Sequence, residues 1–258
     1  MDASSLLAVE RRGPTAILRL NRPERRNAVD AALADAMRQA LAEVGADPAV
    51  RAVILTGGET CFSAGMDLAA YLDGQWPAIN DAEGRFAGVA AHRLEQPLIA
   101  AVEGPALAGG FETALACDMI VAGDGAFFGV PEVRVGLFPA AGGAFRLMRK
   151  VPPNVGMEIL CTGKRLSAAE AHQLGLVNRL VPAGTALDAA LTLAEEIARQ
   201  APLGVRASLT LARAALAAEE ARLWELNDRL WQQITATTDA REGPRAFLEK
   251  REPVWTGS

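Results

Sequence analysis

The sequence predicts an α/β fold with a helical C-terminal extension. Short continuous apolar runs alternate with helical periodicity up to about residue 182. Beyond that point only helical periodicity remains. Half of the 258 residues are apolar, enough to bury one large core. The chain divides on this basis into an α/β core over 1–182 and a helical region over 183–258.

Taken in order, residues 6–20 read as two short strands around a turn at Gly13-Pro14. A polar loop from Asn21 to Asn27 follows, punctuated by Pro23. Asp30 is placed to cap a helix whose Val29, Leu33, Met37, Ala40, Leu41 and Val44 recur at helical spacing. Gly45 and Pro48 end it. Ala52–Leu55 is an unbroken apolar run, as a parallel strand buried on both faces requires. Gly57–Asp67 is a Gly-containing loop, and 69–82 reads as an irregular, mobile segment. Leu98–Val102 and Met119–Ala122 are further buried strands. Between them lie a Gly/Pro/Ala loop over 104–110 and a short helix over 111–117. Residues 127–132 and 135–139 read as extended pieces. Helices are expected at 142–150, 154–161, 167–174, 185–200, 203–218, 220–237 and 239–249, with a strand at 176–180 between the third and fourth. Trp224, Trp231 and Trp255 make the tail suited to covering an apolar surface.

A net charge of −5 argues against a nucleic-acid partner, while Arg22, Arg25 and Arg26 form one local basic cluster. Arg11 and Arg12 read as solvated surface. Three widely spaced cysteines (Cys61, Cys117, Cys161) and two histidines (His92, His172) give no zinc-binding spacing, so no metal is expected. Free thiols, the absence of a signal-like start and the lack of any membrane-length apolar run predict a cytoplasmic protein with no membrane contact.

Two loops are candidates for chemistry. Cys61-Phe-Ser-Ala-Gly-Met-Asp-Leu68 and Gly104-Pro-Ala-Leu-Ala-Gly-Gly-Phe-Glu112 each follow a buried strand, and the second opens a helix. Glycine lets backbone approach a ligand, and a helix start offers unpaired N–H groups. Gly109 or Gly110 in the second loop and Met66 in the first are placed to donate to one anionic oxygen. Neither loop fits a dinucleotide fingerprint or a P-loop. Glu112 lies one helical turn after Gly109, and Glu132 follows Pro131; both have largely apolar neighbours, which suits a carboxyl to proton transfer. From pattern alone, a first-turn carboxylate and a loop ion-pair residue are the more ordinary readings, by roughly two to one.

The motifs taken together resemble the crotonase (enoyl-CoA hydratase/isomerase) superfamily along almost the whole chain. The resemblance is carried by Asn21-Arg-Pro with Arg26-Asn-Ala28, by Ala52-Val-Ile-Leu-Thr-Gly57 with Phe62-Ser-Ala-Gly-Met-Asp-Leu68, and by Pro97-Leu-Ile-Ala-Ala-Val-Glu-Gly104. Ala108-Gly-Gly-Phe-Glu112, Ala116-Cys-Asp118 and Phe128-Gly-Val-Pro-Glu132 continue it, and Gly175-Leu-Val177 and Glu242–Lys250 complete it. The order of the motifs, more than any one of them, is specific.

The resemblance implies a spiral of ββα units with C-terminal helices that build a homotrimer or a hexamer of two trimers. It implies an acyl-CoA thioester substrate and no cofactor beyond the CoA that the substrate carries. Met66 and Gly109 would form an oxyanion hole. Ala64, Met66, Asp67 and Leu68 would bind CoA, with Arg26 and Ala28 along its pantetheine and phosphates and Gly110 and Pro131 completing the contacts. Glu112 as base and Glu132 as acid would add water across a 2-enoyl-CoA with syn geometry. Isomerases of the family resemble this chain at the second glutamate only, so an isomerase is an alternative. The tail and the Gly-Phe-Glu step also look like carnitinyl-CoA dehydratase. A third alternative is a non-catalytic, RNA-binding or assembly member. Phe111 and Phe145 depart from the family's more frequent residues, and residues 69–92 are expected to shape the acyl pocket.

Overall fold

A computed structural model describes residues 6–92, 94–254 and 256. Trp255 lies outside the described residues. Strands β1 (Leu7–Arg12) and β2 (Thr15–Leu20) form the expected hairpin. Helix α1 (Ala31–Ala46) starts where Asp30 Oδ1 accepts the Leu33 N–H at 2.9 Å. Then come β3 (Ala52–Thr56), a short α2 (Leu68–Leu72), β4 (Leu98–Val102), β5 (Pro105–Leu107) and α3 (Gly109–Ala116). They are followed by β6 (Met119–Gly123), β7 (Phe127–Gly129), α4 (Gly143–Lys150), α5 (Pro153–Thr162), β8 (Leu166–Ser167), α6 (Ala168–Gln173) and β9 (Arg179–Val181). The chain closes with α7 (Ala186–Ala198), α8 (Pro202–Thr235) and α9 (Asp239–Glu249).

The strands make two sheets. The larger has the order β1-β2-β3-β4-β6-β9 and is parallel except for the β1–β2 pair. The smaller has the order β5-β7-β8. Each of β4 and β6 is followed at once by a strand of the small sheet, so the chain climbs in repeated turns. Residues after β3 repeat this move through an isolated bridge between Ser63 and Ala106. That geometry is the ββα spiral.

Alternation within the strands explains their unbroken apolar runs. Ile17, Ile54, Ile99 and Val121 face α7, whose Ala186, Ala190 and Ala194 let the helix lie close to the sheet. Leu18, Val53, Leu55 and Ala100 face the other core, which contains Leu33, Met37 and Leu41 of α1. Helix α7, which begins just beyond residue 182, thus covers one face of the core sheet.

Four expectations need correction. Residues 69–82 contain α2 and a helical turn over Pro77–Asp81, held by local hydrogen bonds. Pro131–Val135 is a 3₁₀ turn, where an extended piece was expected. The strand expected at 176–180 forms only at Arg179–Val181. The two helices expected at 203–218 and 220–237 are one helix of 34 residues, because neither Gly nor Pro interrupts the sequence after Gly204.

Candidate active site

The two Gly-containing loops meet. Gly65 has φ +91°, and a Cβ there would fall 2.7 Å from the Gly109 nitrogen. The Gly65–Met66 and Ala108–Gly109 peptides are thus neighbours. Asn27 holds the first loop in place, its side-chain amide donating to the carbonyls of Gly57 and Cys61 at 2.8 and 2.9 Å. Val29 pairs with the same loop: its N–H donates to the Gly65 carbonyl, and its carbonyl accepts the Asp67 N–H. The N–H groups of Met66 and Gly109 have no acceptor among the described residues. For Gly109 this follows from its place in the first turn of α3.

Glu112 sits one turn further along α3 and is 3% exposed. Its Oε1 accepts the N–H of Ala141 at 2.8 Å and of Gly143 at 2.7 Å. A Cβ at Gly143 would lie 2.6 Å from Glu112 Cγ, so only glycine allows this approach. Glu132, in the turn after Pro131, is also buried, and its Oε2 has no hydrogen-bond partner among the described residues. Burial pushes the Glu112 carboxyl up, against the pull of the Gly143 and Ala141 amides and of nearby Arg146. Burial and then the charge of Glu112 push Glu132 well up. Both carboxyls are thus raised, and their titrations belong to the pair.

Both glutamates open on a cavity of about 580 Å³. Ala28, Ala64, Met66, Gly109 and Pro131 form its wall near them. Arg25, Arg26, Arg134 and Arg165 place four cations on its lining. Trp76, Phe138 and Trp231 supply an aromatic wall, with Trp76 stacked on Trp231 at 3.9 Å. Phe86 also lines the cavity, and a Cβ at Gly109 would meet its ring at 2.3 Å.

The structure brings together Glu112, Glu132, Met66, Gly109, Arg26, Ala28, Ala64, Asp67, Leu68 and Pro131 around this cavity. Gly110 is the exception. It is buried behind the wall, where a Cβ would strike the Ser63 carbonyl oxygen at 2.3 Å, so it serves packing. Asp67 lines the cavity but its carboxylate is engaged, capping α2 at the Ala69 N–H and pairing with Arg22 at 3.0 Å. Arg22 also pairs with Asp30 at 3.1 Å, so this member of the basic cluster is structural. No sequence motif marks Trp76, Phe138 and Trp231 as wall residues, although Trp231 carries a signal as an aromatic on a tail suited to covering an apolar surface. Among the described residues no cluster of three or more His, Cys, Asp or Glu is placed to hold a metal ion.

Two amides without an acceptor among the described residues and a pair of desolvated carboxyls line one cavity, an arrangement able to transfer a proton next to a carbonyl that gains negative charge. The profile of the enoyl-CoA hydratase/isomerase family matches residues 10–258, and the chain belongs to that family. Enoyl-CoA hydratase EchA19 of Mycobacterium tuberculosis is 42% identical over 257 residues, covering 95% of this chain and 94% of its own. Carnitinyl-CoA dehydratase of Salmonella agona is 41% identical over 260 residues, covering 98% and 99%. The crystal structure of carnitinyl-CoA hydratase from Mycobacterium avium superposes with a TM-score of 0.92 at 43% identity, over 98% of this chain and 99% of that one.

Proposed function

We propose that the protein is a hydro-lyase that interconverts a 2-enoyl-CoA and its 3-hydroxyacyl-CoA by syn addition or loss of water. The observation that carries the proposal is that the buried carboxyls of Glu112 and Glu132 line the same cavity as the Met66 and Gly109 amides, which have no acceptor among the described residues. The thioester oxygen lies between those amides. Water sits between the carboxyls. Glu112, ionised, takes a proton from the water as its oxygen bonds to C3. Glu132 gives its proton to C2 on the same face. The charge that builds on the thioester oxygen is met by the two N–H groups, each contributing about 2.7–4 kcal/mol to lowering the barrier. Positioned proton transfer adds about 10²–10⁴ in rate. After turnover the proton on Glu112 returns to Glu132, which restores the pair.

Arg25 and Arg26 at the cavity support an anionic, phosphate-bearing substrate. The chemistry asks for no cofactor beyond the CoA of the substrate. Exposed Leu203, Leu211, Leu230, Phe247 and Leu248 on the C-terminal helices support assembly as a homotrimer or a pair of trimers, testable by light scattering. No described helix is long and apolar enough to cross a membrane, in keeping with a cytoplasmic enzyme. The relatives named as carnitinyl-CoA dehydratases favour the water-removing direction as a second assignment of the same site. The deciding assay is loss of the conjugated thioester absorbance of crotonyl-CoA by the wild type, Glu112→Gln and Glu132→Gln. Turnover by the wild type alone supports the proposal. No turnover of crotonyl-CoA or a longer 2-enoyl-CoA overturns hydration.

A further inference from the structure

The C-terminal helix α8 reaches both halves of the catalytic constellation through two adjacent residues. Asn227 is buried, and its Nδ2 donates to the Ala140 carbonyl at 2.9 Å. The next amide, of Ala141, is one of the two that hold Glu112 Oε1. Asp228 receives both Nη groups of Arg85, each at 2.8 Å. Arg85 precedes Phe86, the ring that packs against Gly109.

The segment around Arg85 needs such a clamp. Arg85 has φ +55° and Ala87 has φ +55°, a left-handed region that costs non-glycine residues energy and persists only when the surroundings impose it. The impositions are the two-pronged pair with Asp228 and the stacking of Arg85 over Trp224 at 4.1 Å. Arg146 ties the same two segments from the other side, donating to the carbonyls of Ala90 and Ala141 at 2.5 and 3.2 Å. The Arg85–Asp228 pair is partly exposed, with side-chain exposures of 26% and 45%. Pairs of that kind add little to stability. Their geometry, two parallel bonds to one carboxylate, fixes direction instead.

We infer that Asn227 and Asp228 are positioning residues of this enzyme: Asn227 sets the loop that aims Glu112, and Asp228 sets the segment that seats Phe86 against Gly109. The inference rests on the proposed hydro-lyase assignment. A displacement near 1 Å at a reacting group costs on the order of 10²-fold in rate, so partial loosening is expected to cost about 10-fold or more.

The test uses the full-length protein with Asp228→Asn, Asn227→Ala and the exchange Arg85→Asp with Asp228→Arg. Asp228→Asn is expected to lower kcat about 10-fold with KM within about threefold. The exchange is expected to recover part of that loss. Asn227→Ala is expected to move the acid limb of the kcat profile to higher pH, because the amides that hold Glu112 ionised loosen. Unchanged kcat and pH limb in folded variants overturn the inference. So does a rate loss in Asp228→Asn that the exchange leaves unrelieved, since that marks general damage. A second readout separates this inference from the hydratase assignment: the near-ultraviolet band of bound acetoacetyl-CoA enolate, which reports the two amides without turnover. If the wild type hydrates nothing, a band weakened by Asp228→Asn still supports the positioning role, and an unchanged band overturns it.

Discussion

Gly65→Ala tests the juncture of the two loops directly. The new methyl would lie 2.7 Å from the Gly109 nitrogen, 2.8 Å from Ala108 Cβ and 2.9 Å from the Leu107 oxygen. Comfortable contacts begin near 3.5 Å, so the loops must part by roughly half an ångström or more. All three neighbours are backbone or a short methyl and cannot rotate aside. A left-handed φ of +91° adds strain of about 1–2 kcal/mol for alanine. The parting would spoil the proposed convergence of the Met66 and Gly109 amides on one oxygen, and losing one such donor costs about 2.7–4 kcal/mol. The expected result is a kcat for crotonyl-CoA about 10²–10³ lower, with a melting temperature lower by about 2–8 °C. Steady-state kinetics and a thermal melt on the same preparation give both numbers. A folded variant that keeps kcat within about threefold of the wild type would refute the oxyanion assignment and the contact argument with it.

Gly143→Ala sets a methyl 2.6 Å from Glu112 Cγ and is expected to lower kcat about 10²-fold while leaving binding of a saturated acyl-CoA, measured by calorimetry, within a few-fold. Glu132→Gln bears on stability against pH. The raised carboxyl keeps its proton in the folded state above the ordinary value of 4.5, whereas the unfolded chain loses it there, so the wild type loses stability as pH rises through that window. The variant should therefore melt higher than the wild type at pH 8, with the gap closing by pH 4; an equal gap at both values would contradict the buried, protonated Glu132. Trp231→Ala removes the ring stacked on Trp76 and is expected to destabilise by about 3–5 kcal/mol and to shift preference toward bulkier acyl groups, read from kcat/KM across a series of thioesters. Arg22→Met breaks two ion pairs and the bond to the Ala28 carbonyl, so urea unfolding should show a loss of about 1–3 kcal/mol.

Much of this site was legible because it is built from backbone. Gly65, Gly109 and Gly143 are constrained by contacts that a side chain would violate, and glycine in a strand-to-helix loop advertises close approach. Glu112 and Glu132 stood out because their neighbours in sequence are largely apolar, and the fold buries both carboxyls. Gly110 shows the limit of that logic: it has the same residue type and the same loop, but its face is turned toward Ser63. The aromatic wall was hidden for another reason. Trp76 and Trp231 are 155 positions apart, and no local periodicity connects them. The strands were readable from apolar runs, while β5 and β8 were not, since pieces of three and two residues carry no period.

Because Trp231 closes the aromatic wall from α8, the finished cavity depends on residues synthesised after both sheets. The spiral with both glutamates is complete by residue 181, but Asn227, Asp228 and Trp231 arrive some 50 residues later. At roughly 5–20 residues per second, that delay is several seconds during which the folding chain has both glutamates and both sheets without a closed wall. Loss of α8 would therefore leave both sheets and both glutamates beside a cavity that lacks its Trp231 wall.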